Sequence, residues 1–316
     1  MSNKLSEKNI LTAYDLFDLN MAEVPKLLSP FYQKVGVAAL VGSSDTGKST
    51  LLRQFGLHIV LKLDTFLNFR VKAEHHRVLY ISTEDDPYTV SNAIRKQADK
   101  LKEEDPSLDL KLLENFIFAF SPDKPFETVE SQLQKNKFDL VILDAFADIF
   151  AGEINANTQV RQFLNKFDNL AKKQECLMIF LHHIGKGKDK FRAHKDSIIG
   201  TQAFEAKMRS VLELRRNPNE KEKRDLWVLK ANFLGDQQKN KSFILSYDAN
   251  LIFENTETRG SGAKAKSQIP DVREYIINLH KKGHSLRDIE KDMAGKPNAL
   301  KKESIRKIIK LGESKQ

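Results

Sequence analysis

The sequence predicts an α/β protein, a mainly parallel sheet sandwiched by helices with an antiparallel extension and a small C-terminal helical domain. Three observations lead there. Between residues 36 and 181 short, nearly unbroken apolar runs alternate with segments of helical spacing, as strands covered on both faces do. After residue 210 the apolar runs follow one another with short spacers, as antiparallel neighbours do. From residue 270 apolar residues recur at helical spacing within a basic stretch. The length of 316 residues fits about two domains.

In chain order, residues 1–34 read as a polar N-terminal arm with a proline-containing stretch, Pro25 to Pro30. Strands are expected at 37–41, 78–82, 115–120, 138–143 and 177–181, with helices at 49–61 and 158–173. The later runs at 211–214, 226–229, 243–245 and 251–253 form the antiparallel extension, closing a main domain over 35–255. Residues 256–269, rich in Gly, Ser, Thr, Ala and Lys, read as a linker, and 270–316 as the basic helical domain.

Hydrophobic residues make up 40% of the chain, enough to bury a core. The single cysteine, Cys176, excludes a disulfide framework and a Cys-rich zinc module, and it fits a reducing compartment. No apolar run approaches the roughly 18 residues that span a bilayer. The first twenty residues carry acids early and no continuous apolar block, so no signal peptide is expected and a cytoplasmic location is. The net charge is +9, and residues 259–316 hold fifteen basic against seven acidic residues, so nearly all the excess sits in the last fifth. Such a segment either attracts phosphate backbones or merely solubilises the tail.

Gly42-Ser43-Ser44-Asp45-Thr46-Gly47-Lys48-Ser49, followed by Thr50, matches the phosphate-loop pattern in full, with a strand before it and a helix after. Glycines let the backbone wrap a phosphate, so that amide groups and a helix N-terminus face negative charge. Lys48 would reach the β- and γ-phosphates of ATP, and the Ser49 hydroxyl would ligate Mg²⁺.

In open parallel sheets ligands bind at the carboxyl ends of the strands. The strand at 78–82 is followed by Thr83-Glu84-Asp85-Asp86, the strand at 138–143 by Asp144, and the strand at 177–181 by His182-His183. Asp144 closes an apolar run in the Walker B manner and would hold Mg²⁺, the alternative being a solvated strand-end acid. Glu84 is the candidate general base for an attacking water. Asp85 and Asp86 compete for that role, but acids followed by Pro87 suit the start of the next helix. His182 and His183 suit γ-phosphate sensors. A zinc site is disfavoured because neither Cys nor a second spaced His lies nearby.

These residues resemble the RecA-like ATPases and, within them, the hexameric replicative helicase family of plasmid RepA and DnaB type. The likeness covers roughly residues 12–255 and is closest at 143–148, 152–157 and 182–186. It implies that Glu84 is the catalytic base and that the histidine pair lies near the γ-phosphate. It implies a ring, with Lys230 of the segment 226–232 reaching a neighbouring subunit's nucleotide. Family members often carry Arg two positions after that Lys, where this chain has Asn232, so Arg209, Arg215 and Arg216 are substitutes. It also implies that the basic loop 185–200 touches single-stranded DNA through Lys186, Lys188, Lys190, Arg192 and Lys195. The plainer reading of that loop is a solvated surface segment.

In the tail, Val272, Tyr275, Ile276 and Leu279 share a helical stripe that Gly283 ends. Ser285 caps a second helix with Leu286, Ile289 and Met293 on one face, and Ile305, Ile308 and Ile309 mark a third. The pattern resembles a helix-turn-helix, with Lys301, Lys302, Ser304, Arg306, Lys307 and Lys310 as candidates for duplex DNA contacts. The alternative is a tail that packs on a neighbouring subunit. The expected function is Mg²⁺-dependent ATP hydrolysis coupled to DNA binding or translocation by a homo-hexamer serving a plasmid or mobile element. An ATP-switched DNA-binding regulator without unwinding is the alternative. A filament-forming recombination ATPase ranks below both.

Overall fold

The computed structural model describes residues 10–185, 187, 193–200, 202–232, 234–260, 272–294 and 300–313. Nine strands build its central sheet. They are β3 (Gly36–Gly42), β6 (Val78–Ser82), β7 (Phe116–Phe120), β8 (Leu140–Asp144), β9 (Leu177–His183), β10 (Ser210–Arg216), β11 (Lys223–Ala231), β12 (Phe243–Tyr247) and β13 (Phe253–Arg259). Their order in the sheet is β13-β12-β11-β10-β3-β9-β8-β6-β7. Pairing is parallel from β10 to β7 and antiparallel from β10 outward to β13. The run at 211–214 therefore belongs to the parallel part through its bonds to β3, and the antiparallel extension begins one strand later than the sequence suggested.

The central strands β3, β6 and β8 are buried at every position, which explains why they read as unbroken apolar runs. Helices α2 (Lys48–Val60) and α3 (Pro87–Glu104) accompany the core face formed by Leu40, Phe55, Tyr80 and Ile142. Helices α4 (Pro125–Lys135), α5 (Phe146–Ile149), α6 (Asn157–Gln174) and α7 (Gln202–Lys207) accompany the opposite face, built on Val41, Val141, Phe167 and Phe180. Alternate residues of one strand thus feed two separate cores.

The N-terminal arm differs from the expectation of a polar lead-in. A short helix, α1 (Ala13–Asp18), is followed by a two-stranded ribbon, β1 (Lys26–Leu28) and β2 (Tyr32–Gln33), whose Leu27, Leu28, Phe31 and Tyr32 enter the main core. The Phe31 carbonyl accepts a 2.6 Å bond from Ser210 Oγ. A second ribbon, β4 (Thr65–Phe66) with β5 (Phe69–Arg70), was not foreseen; Phe69 packs edge-on against Phe31 and Phe243. At the other end, β13 runs through Arg259, so the ordered domain continues past the expected boundary at 255.

The tail forms three helices, α9 (Val272–Lys281), α10 (Leu286–Met293) and α11 (Lys302–Glu313) once helices are numbered in chain order, after α8 (Asp236–Lys239). Ile276, Ile289, Met293, Ile305 and Ile309 form their own small core. Ser285 caps the second helix reciprocally with Asp288, and Gly283 takes a left-handed φ of 86° in the turn before it. Among the described residues no helix is long and apolar enough to cross a membrane.

Candidate nucleotide site

The phosphate loop leaves β3 at Gly42 and enters α2 at Lys48. Gly47 has φ 93°, and a Cβ there would lie 2.7 Å from the Phe253 ring, so both conformation and space require glycine. At Gly42 an added Cβ would run into the Leu214 carbonyl of β10. The loop is closed internally by Thr46 Oγ1 donating to the Ser43 carbonyl at 3.0 Å and by Lys48 Nζ donating to the same oxygen at 2.9 Å. Burial pushes the Lys48 ammonium pKa down, opposed by the charges of Asp144, Glu84 and Asp45.

The antiparallel half braces this loop from outside. Arg224 Nε donates to the Thr46 carbonyl at 3.1 Å, and its guanidinium lies 5.2 Å over the Tyr247 ring. Arg216 donates to the Asp45 carbonyl at 3.3 Å. Gln54 of α2 makes paired bonds with the backbone of Phe253, which keeps that ring against Gly47.

Ser44, Asp45, Lys48, Ser49, Glu84, Asp144 and His183 all line one cleft of about 330 Å³ at the carboxyl ends of β3, β6, β8 and β9. Asp144 is 3% exposed, and its Oδ2 accepts a 2.5 Å bond from Tyr80. The Ser49 hydroxyl bonds to the same carboxylate. Burial raises the Asp144 pKa, and the bonds from Tyr80 and Ser49 work against that rise. A hydroxyl and a carboxylate in contact beside a phosphate loop are hard oxygen donors of the kind Mg²⁺ takes, so the residues present fit that ion.

Glu84 sits on the turn after β6, half-exposed, with Oε1 3.5 Å from His183 Nε2. The turn is tied down around it. Thr83 Oγ1 lies 2.8 Å from both the Asp144 carbonyl and Asp148 Oδ2. Asp86 caps α3 by accepting from the amides of Tyr88 and Thr89, with Pro87 in the first turn, as its sequence implied. Asp85 pairs instead with Arg53 of α2 at 2.8 Å. Burial opposes the Arg53 charge, but Tyr80, Asp85 and Asp144 outweigh it and hold its pKa above the usual value.

Two expected roles differ in place. His182 points away from the cleft. It is 1% exposed, it lies between Phe146 and Phe204 at 4.9 and 4.7 Å, and its Nε2 donates to the Ile199 carbonyl at 2.9 Å. Burial lowers its pKa to about 4, so it stays neutral near pH 7 and is a poor sensor of phosphate charge. Strand alternation was the missed signal: successive residues of β9 face opposite sides, so only one of the pair could reach the cleft. Lys230 is likewise anchored within its own subunit, donating to the Glu205 and Ala206 carbonyls at the end of α7 and pairing with Glu205 at 3.4 Å. That arrangement is not the outward reach expected of it. Of its substitutes, Arg215 is buried against Glu213 at 2.6 Å, and Arg216 serves the chain's own phosphate loop.

Lys186, Lys188, Lys190 and Arg192 lie outside the described residues. Lys301, Lys302, Arg306 and Lys307 are exposed on or just before the third tail helix. Tyr80, Arg53 and Arg224 escaped sequence reading, because their partners lie 64, 32 and 178 positions away and no motif contains them.

Comparison with known proteins agrees with this geometry. No curated protein matches the chain. Among solved structures the chain is similar to a helicase ATPase domain, with a TM-score of 0.55 over 77% of this chain and 96% of that chain, at 13% identity. At that identity the likeness concerns the fold. The model of the AAA domain family matches residues 7–189, more than half of the chain. The chain therefore belongs to the AAA domain family, as a P-loop ATPase with a RecA-like core of DnaB type.

Proposed function

We propose that the chain hydrolyses ATP with Mg²⁺ in this cleft and couples hydrolysis to work on DNA, as a homo-hexameric, RepA-like ATPase would. The observation that carries the reading is the meeting of Lys48, Ser49, Glu84, Asp144 and His183 around one cleft at the strand ends. The loop amides and Lys48 would neutralise the triphosphate. Ser49 and Asp144 would hold the metal, with Tyr80 orienting the carboxylate. Magnesium, when bound, bridges phosphate oxygens and offsets the charge developing on them. Glu84 would take up the proton side of the attacking water, and His183, within reach of Glu84, would sense loss of the γ-phosphate.

The DNA part of the proposal rests on charge. Lys301, Lys302, Arg306 and Lys307 present an exposed basic face on a three-helix unit, which supports a helix-turn-helix reading and duplex contact. That same unit favours the second reading, an ATP-switched DNA-binding regulator that does not unwind. Lys186, Lys188, Lys190 and Arg192 remain the proposed single-strand contacts. The test is ATP hydrolysis with and without single-stranded and duplex DNA. Stimulation by single strands supports a translocating motor. Hydrolysis indifferent to single strands, with ATP-dependent duplex binding, supports the regulator.

A further inference from the structure

Glu84 and the phosphate loop stand on strands that are not neighbours. The order β3-β9-β8-β6 puts two strands between them. A carboxylate that aims a water at a phosphate must be held at a fixed distance from it, and a misplacement of about 1 Å can cost about 100-fold in rate. The geometry of the Glu84 turn must therefore be set by bonds that cross from the loop side.

The ties of that turn are few and can be followed one by one. Ser82 Oγ donates to the Asp85 carbonyl at 3.0 Å, within the turn itself. Thr83 is tied to β8 and the start of α5 through Asp144 and Asp148. Asp86 is engaged in capping α3. Among the described residues the Glu84 carboxylate meets His183, at 3.5 Å. Among the same residues one side-chain bond runs directly from α2 to residues 83–86: Arg53 Nη1 to Asp85 Oδ2 at 2.8 Å. Arg53 lies five residues beyond Lys48 on the same helix, and its side chain is 6% exposed and lines the cleft. The pair is largely desolvated on its cationic side, where such a bond is firm and where removing one partner strands the other charge.

We propose that the Arg53–Asp85 pair is a positioning device for hydrolysis: it gauges the distance from the phosphate loop to Glu84, the residue adjacent to Asp85. The inference rests on the reading of Glu84 as the base. Arg53 acts through Asp85 and touches no reacting atom. Substituting it therefore impairs the rate and spares nucleotide affinity, which comes from the loop amides, Lys48 and Ser49.

The test uses the full chain, with two readouts: turnover at saturating ATP, and the dissociation constant of a fluorescent ATP analogue. Arg53→Met is expected to lower turnover about tenfold or more while affinity changes less than about threefold. Arg53→Lys, which keeps the charge, should recover much of the loss. Asp85→Asn should show the same split, and because Asp85 is 30% exposed it covers the case in which Arg53→Met misfolds. In a Glu84→Gln background, neither substitution should lower turnover further, since both act through the group already removed. Unchanged turnover in both single variants overturns the proposal, as does an affinity loss as large as the rate loss. A full cost of Arg53→Met in the Glu84→Gln background also overturns it, by assigning Arg53 to the phosphates. Wild-type turnover in Glu84→Gln alone would instead remove Glu84 as the base.

Discussion

The two halves of the sheet press on the same phosphate loop in different ways. The parallel half contributes chemistry: each of β3, β6, β8 and β9 ends in a group that lines the cleft. The antiparallel half contributes support: Arg224 and Arg216 hold loop carbonyls, and Phe253 fills the space that Gly47 leaves open. The lesson is that a loop whose backbone must face a phosphate can be shaped from behind by side chains that never meet the nucleotide.

The contrast predicts that substitutions in the two halves fail differently. The largest effect is expected at Phe253, 1% exposed and packed on Gly47 and Tyr247. Phe253→Ala should cost about 3–5 kcal/mol of stability in urea unfolding and weaken nucleotide binding with it. Lys48→Ala should lower ATP turnover by about 100-fold, or about 3 kcal/mol of transition-state stabilisation, while leaving the unfolding midpoint almost unchanged. If Lys48→Ala unfolds the chain, or Phe253→Ala leaves affinity intact, the division of labour fails. Arg224→Met should be milder, weakening an ATP analogue about tenfold, the equivalent of about 1.4 kcal/mol, by loosening the Thr46 carbonyl.

The smallest effect concerns pH. Burial lowers the pKa values of His182 and of His58 to about 4. The unfolded chain therefore binds more protons than the folded one between about pH 6.5 and 4. Stability is full above that window and falls as pH falls through it, by about 1 kcal/mol per histidine between about pH 7 and 5.5. His182→Gln should flatten about half of this slope in denaturation measured at each pH. An unchanged slope would place the acid sensitivity elsewhere.

What was legible in the sequence follows the same divide. The phosphate loop, Asp144 and the Asp86–Pro87 helix start are each defined by neighbours within a few residues, so spacing alone located them. The bracing residues act across the fold. Nothing near Arg224 or Phe253 announces that one grips Thr46 and the other shields Gly47. The alternation of Thr256 and Thr258 in β13 was a strand signal masked by neighbouring linker-like composition. The N-terminal arm misled for the opposite reason. Leu27, Leu28, Phe31 and Tyr32 are too few to set a period, yet they complete the main core.

The central claim is that Glu84 activates water at a cleft whose binding groups are separate from it. It is tested most directly by measuring ATP-analogue affinity and single-turnover hydrolysis of Glu84→Gln beside the wild-type chain. The account predicts affinity within about threefold of wild type and hydrolysis slower by about 100-fold or more. Hydrolysis at the wild-type rate, with affinity intact, would contradict it.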